Sequence, residues 1–242
     1  MSINPTLLHI ANIEIDVVRK DIKNMHLAVY PPHGRIRLAV PQKTDEEVVR
    51  LFAISKLGWI KKHVKNFQEQ ARETKRDYVS GESLYFQGNR YLLEVEEHKG
   101  YSSVKIEGTK KIKLKIKLGA TTEDKSLVMR EWYRKQLKIQ IEPLVEKWEK
   151  IIGVSANDWG VKHMKTKWGA CNTDAKRIWL NLELAKKPPV CLEYILVHEL
   201  VHLHERNHTE RFIQLMDKFM PKWRLHRDEL NNLPIVHNDW GY

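Results

Sequence analysis

Two histidines four residues apart near the C-terminal end constrain this chain more than any other feature. They are His198 and His202, and Glu199 directly follows the first of them. Residues four apart in an α-helix lie about 40° apart around its axis and one turn apart along it, so two imidazoles at this spacing can bind one metal ion. The segment is therefore predicted to be a helix that carries a metal site.

The flanking residues predict how far this helix extends. Pro188 and Pro189 favour a helix start, and the residues that follow predict a helix from Val190 to Arg206. When the helix is projected at roughly 100° per residue, the histidines fall on one side and the leucines on the opposite side, with Glu199 on the flank between. These leucines are Leu192, Leu196, Leu200 and Leu203. We expect the leucine side to be buried and to hold the metal-binding side rigid.

A catalytic zinc ion needs three protein ligands and one open position for water. His208 is the predicted third ligand. Asn207, just before it, can adopt a left-handed conformation that ends the helix and turns the chain back toward the metal. Glu199 is then placed to act as a general base toward the water, which is the arrangement of a zinc hydrolase.

Other side chains are weaker candidates for the third ligand. They are His204, His226, His237, Glu229 and Cys191. His204 points about 200° away from His202 around the helix. Cys191 shares the direction of His198 but lies about 10 Å away along the axis, so these two cannot share an ion. The remaining three lie farther along the chain than His208.

Short segments on both sides of the helix form a recognisable series. They are Lys167-Trp168-Gly169-Ala170-Cys171, Ile178-Trp179-Leu180-Asn181, Pro188-Pro189 and Asn207-His208, preceded by Gly81-Glu82-Ser83-Leu84-Tyr85 with Gly88 and Tyr91. Together with the His-Glu-x-x-His helix they resemble the YgjP-like metallopeptidases, which are relatives of the SprT-like and other minigluzincin-type zinc peptidases. The resemblance extends from about residue 17 to about residue 232.

The resemblance implies that His198, His202 and His208 bind Zn²⁺ and that Glu199 is the catalytic base in peptide-bond hydrolysis. It also implies a peptide or protein substrate. The chain departs from the metzincin pattern, because Glu205 stands where that pattern has a glycine. The substrate preferences of metzincins are therefore not expected here.

The predicted fold class is α+β. Residues 121–242 are predicted to form a zincin-like metallopeptidase region, in which helices pack on a small sheet and the metal lies in the cleft between them. Residues 1–120 are predicted to form an N-terminal, strand-rich α+β region with hairpins and one long helix.

Local patterns predict the individual elements. A hairpin is expected over 27–40, a helix from a capping box at Thr44 to about Gln68, and a second long helix from Thr122 that Pro143 should kink or split. The first helix should bury Val48, Leu51, Phe52, Trp59, Ile60, Val64 and Phe67. A half-buried strand is expected over 177–184. Thr209 should cap a helix to Met220, and Pro221 should open a last helix to about Asn231.

The chain carries a formal net charge of +11 over 242 residues, which favours encounters with polyanions such as nucleic acid. Lysines alternate with apolar residues in one segment and are predicted to share one face of a strand. They are Lys111, Lys113, Lys115 and Lys117. This stripe is consistent with a surface that follows phosphates, or with an edge strand protected from aggregation by charge.

Three other functions compete with that of a peptidase. One is a nucleic-acid-binding protein with a structural zinc, but structural zinc sites are closed and usually rich in cysteine. The second is a DNA-associated protease of the SprT-like kind, which salt-sensitive DNA binding would support. The third is a zinc-dependent amidase or deaminase acting on small molecules, which would need a closed pocket rather than an open groove.

Some features of the mechanism are open to several residues. His163, Tyr194 and His226 are candidates for stabilising the oxyanion. An extended substrate is expected to pair with the edge of the strand near Trp179.

The sequence also bears on location. No stretch approaches 18 consecutive apolar residues, and Met1 to Asp16 lack a basic region followed by an apolar run. Cys171 and Cys191 make no disulfide framework. We expect a cytoplasmic protein with no membrane partner, and no pattern specifies an oligomeric state.

Overall fold

The computed structural model describes residues 6–30, 34–69, 72–73, 76–164, 167–233 and 235–236. The elements in chain order are β1 (Thr6–Ile10), β2 (Ile13–Lys20), β3 (His26–Tyr30), β4 (Arg35–Pro41), α1 (Glu46–Ser55), α2 (Leu57–Glu69), β5 (Arg72–Glu73), β6 (Ser83–Phe86), β7 (Asn89–His98), β8 (Ser103–Glu107), β9 (Lys111–Lys117), α3 (Thr122–Ile152), β10 (Asp158–Lys162), β11 (Gly169–Asn172), β12 (Arg177–Asn181), a 3₁₀ helix (Leu182–Lys186), α4 (Pro189–Val201), α5 (Glu210–Phe219), α6 (Trp223–Asn232) and β13 (Ile235–Val236).

The chain divides into two compact units, each with its own apolar core. Unit 1 comprises residues 1–74 and 234–242, and unit 2 comprises residues 75–233. The division predicted at 120/121 falls inside unit 2, between β9 and α3. The reason is that Ile112 and Leu114 of β9 share one core with Met129 of α3, so a boundary there would cut through buried apolar contacts.

Unit 1 is built on a four-stranded sheet with the order β1-β2-β4-β3. The predicted hairpin is present, because β3 and β4 pair antiparallel along their length. The single helix predicted from Thr44 to Gln68 is instead two helices that meet at Lys56. The N-cap of α1 is Asp45 rather than Thr44, and its carboxylate accepts a hydrogen bond from the Glu47 amide at 2.8 Å.

The interruption at Lys56 changes which residues of the first helix are buried. Val48 and Leu51 were predicted in the buried stripe but are 47% and 59% exposed. Trp59, also predicted there, is 42% exposed, whereas Ile60 is buried as predicted. Val49 and Ala53 are buried although they were not in the predicted stripe. Because α1 and α2 are separate helices, they do not share one continuous apolar stripe, and each packs with a register of its own.

Unit 2 contains a four-stranded sheet with the order β6-β7-β9-β8. Strand β9, which carries the lysine stripe, is therefore an interior strand and not the edge strand that was considered. Its lysines face the carboxylates of the parallel strand β7. Lys111 and Lys113 contact Glu94 at 2.6 and 3.2 Å, and Lys113 and Lys115 contact Glu96 at 2.8 and 3.4 Å. We call these five residues the Lys–Glu ladder.

The second sheet of unit 2 has the order β10-β12-β11, with β12 parallel to β10 and antiparallel to β11. The strand predicted over 177–184 ends at Asn181. The chain then turns into the 3₁₀ helix, and residues 182–185 are all buried, so the alternation of buried and exposed residues stops.

Four helices complete unit 2. Helix α3 runs through Pro143 as one helix of 31 residues, so the proline does not split it. Helices α5 and α6 lie close to the predicted ranges, and the Thr209 hydroxyl caps α5 by accepting from the Phe212 amide. In the described parts of the chain, no helix combines the length and the apolar character that a bilayer crossing requires.

Candidate metal centre

Helix α4 carries His198 and Glu199 and ends directly before His202. It packs against α3, α5, α6, β11 and β12. Leu192, Leu196 and Leu200 are buried as expected, yet Ile195, Val197 and Val201 are also buried, so apolar contacts surround the helix instead of covering one side. A helix held from several directions fixes the position of the side chains it carries.

Helix α4 ends at Val201, five residues earlier than the predicted Arg206. The helix ends in hydrogen bonds of the 3₁₀ type, between residues three apart. The amides of Leu203 and His204 donate to the carbonyl oxygens of Leu200 and Val201 at 3.0 and 2.9 Å. The left-handed conformation predicted for Asn207 is absent, because its φ is not positive. The chain returns instead through a bend at 206–207, so the turn needs no left-handed residue.

This turn brings His208 to His198 of α4 and to His202, the C-cap of that helix. The candidate ligand atoms of His198, His202 and His208 all lie within 4.8 Å of one another. The Nε2 atoms of His198 and His208 are 3.0 Å apart, and the three rings have centroid separations of 4.8–4.9 Å. Two nitrogens bonded to one tetrahedral zinc are separated by about 3.3 Å, so the cluster has the dimensions of such a site.

Contacts around the rings hold them in place. The buried Phe212 of α5 packs against all three imidazoles, at centroid distances of 4.9, 4.6 and 4.8 Å. Nδ1 of His202 lies 3.0 Å from the Glu205 carbonyl oxygen, which can only accept a hydrogen bond. Nδ1 therefore carries the hydrogen, and Nε2 keeps its lone pair for a metal.

The protonation of the cluster also suits a metal. Burial, and then the neighbouring His202 and His208, lower the pKa of His198 to about 3. Burial also lowers the pKa of His202, against the opposing effect of its backbone contact with Glu205. His198 and His202 are therefore neutral at pH 7, the form in which histidine binds metals. Nδ1 of His198 is buried without a hydrogen-bond partner.

Glu199 lies beside the cluster and is only 6% exposed. Burial raises its pKa to about 8, although the positive charge of Lys167 acts in the opposite direction. Strand β11 passes so close that a Cβ atom on Gly169 would lie 2.6 Å from Glu199 Oε1 and 2.9 Å from Ile195 Cγ2. The glycine is therefore required for space at this contact, and its φ is not positive.

A cleft of about 480 Å³ opens over the histidines and Glu199. Its other lining residues are Lys167, Trp168, Gly169, Ala170, Cys171, Thr173, Ile195, Arg206 and Asn207. Strand β11 supplies one wall, and among the described strands it pairs with β12 alone. The substrate edge was predicted near Trp179, but that residue lies on β12, which pairs with strands on both sides. The free edge at the cleft belongs to β11.

Comparison with known proteins places the chain in a family. The sequence model of the YgjP-like metallopeptidase domain matches residues 23–233. The chain belongs to the YgjP-like metallopeptidase family. The predicted family and the predicted α+β, zincin-like fold class are thereby confirmed.

A solved structure is similar to part of this YgjP-like protein. It is the crystal structure of the metallopeptidase zymogen of Pyrococcus abyssi abylysin, at 22% identity. The match covers 37% of this chain and 90% of that chain, with a TM-score of 0.35. No curated protein matches the sequence.

The other candidate ligands of the YgjP-like protein have different surroundings. His204 Nε2 lies 3.0 Å from the Ile152 carbonyl oxygen at the end of α3, so it joins two segments of the fold. Cys191 is buried, and its burial together with Glu229 raises its thiol pKa to about 11. Neither Glu229 nor His226 lines the cleft, and His237 lies outside the described residues.

The three candidates for the oxyanion also lie outside the cleft lining. Tyr194 lies between His198 and Trp223, at centroid distances of 6.1 and 6.4 Å, and supports the first of these rings. His163 lies 3.9 Å from a Glu183 carboxylate oxygen. The cationic side chains that do line the cleft are Lys167 and Arg206, which the sequence left without a role.

Asn181 is a further residue of the YgjP-like site that had no predicted role. It is buried at the end of β12, and its Nδ2 donates to the carbonyl oxygens of Met164 and Lys167 at 2.9 and 2.7 Å. Its backbone amide donates to the Trp168 carbonyl oxygen at 2.9 Å. Asn181 thereby anchors the backbone that leads into β11. A polar residue closing an otherwise apolar strand was the available signal.

Proposed function

We propose that this YgjP-like protein is a zinc-dependent peptidase in which His198, His202 and His208 hold the ion. The observation that carries the proposal is the convergence of three imidazoles beside one buried carboxylate. Imidazole nitrogen is a common zinc ligand, and a set of three protein ligands that leaves a position open is typical of catalytic zinc rather than structural zinc.

When bound, zinc acidifies a water molecule and polarises a carbonyl group. The positive charge of a bound zinc would lower the pKa of Glu199, which burial alone raises, and so favour its carboxylate form. That carboxylate acts as the general base, taking a proton from water as the water oxygen forms a bond to the peptide carbonyl carbon. The same carboxyl group then delivers that proton to the leaving amine nitrogen as the carbon–nitrogen bond breaks. Strand β11 passes close to this carboxyl group at Gly169, which limits the room that Oε1 has to move.

An extended peptide fits the open side of the cleft. Strand β11 presents a free edge there, and a peptide can pair with such an edge by adding a strand. This arrangement favours a peptide over the compact substrates of an amidase or deaminase, which need a closed pocket. The Lys–Glu ladder does not favour the nucleic-acid alternatives, because three of the four stripe lysines have carboxylate partners.

The replacement Glu199→Gln tests the proposal. It removes the proton acceptor while leaving the three imidazoles and the side-chain volume unchanged. We expect about one zinc per chain in both proteins and a fall in kcat of roughly 10²–10⁴-fold. Zinc content is measured by inductively coupled plasma mass spectrometry, and hydrolysis with internally quenched peptides. Glu146→Gln, an exposed replacement on α3, is the matched control. Unchanged hydrolysis in Glu199→Gln would reject Glu199 as the base.

A further inference from the structure

Among the described residues, two cations line the cleft without an ion-pair partner. They are Lys167 and Arg206, and the acidic residue in the described lining is Glu199. Within the part of the chain that the structure describes, no carboxylate forms an ion pair with either cation. The lysines of the Lys–Glu ladder differ in this respect, since each of them contacts a glutamate.

The two cations come from different walls of the cleft. Lys167 precedes β11 by two residues, and its carbonyl oxygen accepts a hydrogen bond of 2.7 Å from the buried amide of Asn181. Arg206 lies in the bend between two histidines of the cluster, His202 and His208. Both cations therefore project from backbone that is fixed relative to the cluster.

The charges of the cleft favour an anionic ligand. Among the described lining residues, the two cations Lys167 and Arg206 accompany a single acidic residue, Glu199, so positive side chains outnumber acidic ones in the cleft. In a concave site, low-dielectric walls concentrate the field and raise the local concentration of oppositely charged groups. Lysine binds a carboxylate as a point charge, and arginine can bind it through two parallel hydrogen bonds.

We infer that Lys167 and Arg206 form a carboxylate subsite, which makes this cleft selective for peptides with a carboxylate next to the bond that is cleaved. The inference rests on the proposed function in taking a peptide as the ligand. The carboxylate has two chemical sources, an aspartate or glutamate side chain and the free C-terminus of a peptide. Both present the same group to the two cations, and a substrate set can separate them.

The first experiment compares matched peptides. Internally quenched peptides carry either Glu or Gln at each position flanking the cleaved bond, and each sequence is made with a free or an amidated C-terminus. We expect kcat/KM to be roughly three- to tenfold higher for the carboxylate-bearing member of the favoured pair. A preference between Glu and Gln peptides identifies a side chain as the source of the carboxylate, and a preference between free and amidated peptides identifies the C-terminus. The advantage should shrink as salt concentration rises, because partly exposed charges are screened.

The variants Lys167→Gln and Arg206→Gln test the two cations. Each should lower the Glu-to-Gln ratio of kcat/KM by about two- to threefold, and the double variant should bring it close to one. Lys138→Gln and Arg130→Gln on α3 are exposed replacements of the same kind outside the cleft, and should leave the ratio unchanged.

A different role for Lys167 predicts a different result. If Lys167 serves only to lower the pKa of Glu199, the variant Lys167→Gln lowers kcat for the Glu and Gln peptides by the same factor. A ratio that stays constant in both single variants and in the double variant would overturn the carboxylate subsite.

A binding measurement separates this inference from the proposed function. Fluorescein-labelled octapeptides with a central Glu or Gln are titrated into the zinc-loaded wild-type protein, and anisotropy gives each Kd. Tighter binding of the Glu peptide supports the subsite even if no peptide is hydrolysed, an outcome that would count against the peptidase alone. Equal Kd values would count against the subsite, whatever the hydrolytic activity.

Discussion

The Lys–Glu ladder on unit 2 and the cleft above α4 both hold several charged groups on a rigid frame, but they differ in how these groups are paired. In the ladder, Lys113 contacts Glu96 at 2.8 Å and Glu94 at 3.2 Å. These contacts raise the pKa of Lys113 and lower the pKa of both glutamates, so these three groups are stabilised in their charged forms. In the cleft, burial shifts the pKa of Glu199 and of His198 toward the neutral form.

This difference separates a structural use of charge from a functional one. A charged group that is already paired gains little from binding a ligand. A buried polar atom that lacks a hydrogen-bond partner instead lowers the stability of the protein by about 1–3 kcal/mol, and a ligand that bonds to it removes this cost. The Nδ1 of His198, which is buried and has no hydrogen-bond partner among the described residues, is of the second kind. The cations Lys167 and Arg206 are exposed, and within the described part of the chain they have no carboxylate partner. Changes in the cleft should therefore affect function strongly, and changes in the ladder should affect it little.

The largest effect is expected from His208→Ala. His208 is exposed and follows the end of α4, so its loss removes one of the three proposed ligands with little loss of packing. We expect zinc affinity to fall by more than about 100-fold, because residues that merely support ligands already account for 10- to 100-fold. Competition with a chromogenic chelator measures the affinity, and circular dichroism checks the fold.

His9→Ala, at an exposed position in unit 1, controls for the loss of an imidazole. It should bind zinc as the unaltered protein does. If His208→Ala also retained that affinity, the third ligand would have to be another residue, and the contrast between cleft and ladder would lose its main support.

An intermediate effect is expected from Gly169→Ala. The added methyl group would lie 2.6 Å from Glu199 Oε1, so the carboxylate or the strand must shift. A displacement of the order of 1 Å at a reacting group costs about 10²-fold in rate, and we expect kcat to fall by roughly 10- to 100-fold with zinc still bound. Overpacking should also lower the free energy of unfolding by about 1–3 kcal/mol.

The matched control is Gly58→Ala in α2, where an added Cβ meets nothing within 4 Å. Alanine favours helix over glycine, so this variant should be at least as stable as the parent. Full kcat in Gly169→Ala, with an unchanged melting temperature, would show that the strand yields and that Gly169 does not position Glu199.

The same contrast explains which parts of the molecule could be predicted from the sequence. The helix at His198 was predictable because the histidine spacing and the preceding prolines are local signals. Its end was not, since the helix stops at tight turns after Val201 that no local residue pattern signals. The proximity of Gly169 and Glu199 joins residues 30 positions apart, and no local pattern contains that distance.

The ladder illustrates a second limit. Alternation of lysines with apolar residues predicted a strand with one buried face, and β9 has that pattern. The same alternation occurs in an edge strand and in an interior strand, so it could not indicate that β7 lies alongside. The glutamates of β7 alternate as well, but only the parallel pairing of the two strands brings the opposite charges together.

The smallest effect is expected from Lys113→Gln. The replacement removes the central cation of the ladder, yet ion pairs between exposed side chains contribute little to stability. We expect the melting temperature at pH 7 to change by no more than about 2 °C, with zinc affinity and peptide hydrolysis unchanged. Differential scanning fluorimetry and the quenched-peptide assay measure these quantities.

The pH dependence of that small effect follows from the glutamates. Their pKa values are lowered in the folded protein, so the stabilisation that they provide is fully present above the ordinary pKa of glutamate and is lost as the pH falls through the lowered values. The difference in melting temperature between the protein and Lys113→Gln should therefore disappear in acid. A large loss of hydrolysis in Lys113→Gln at pH 7 would mean that the ladder has a functional role, and that pairing of charges does not separate the two surfaces.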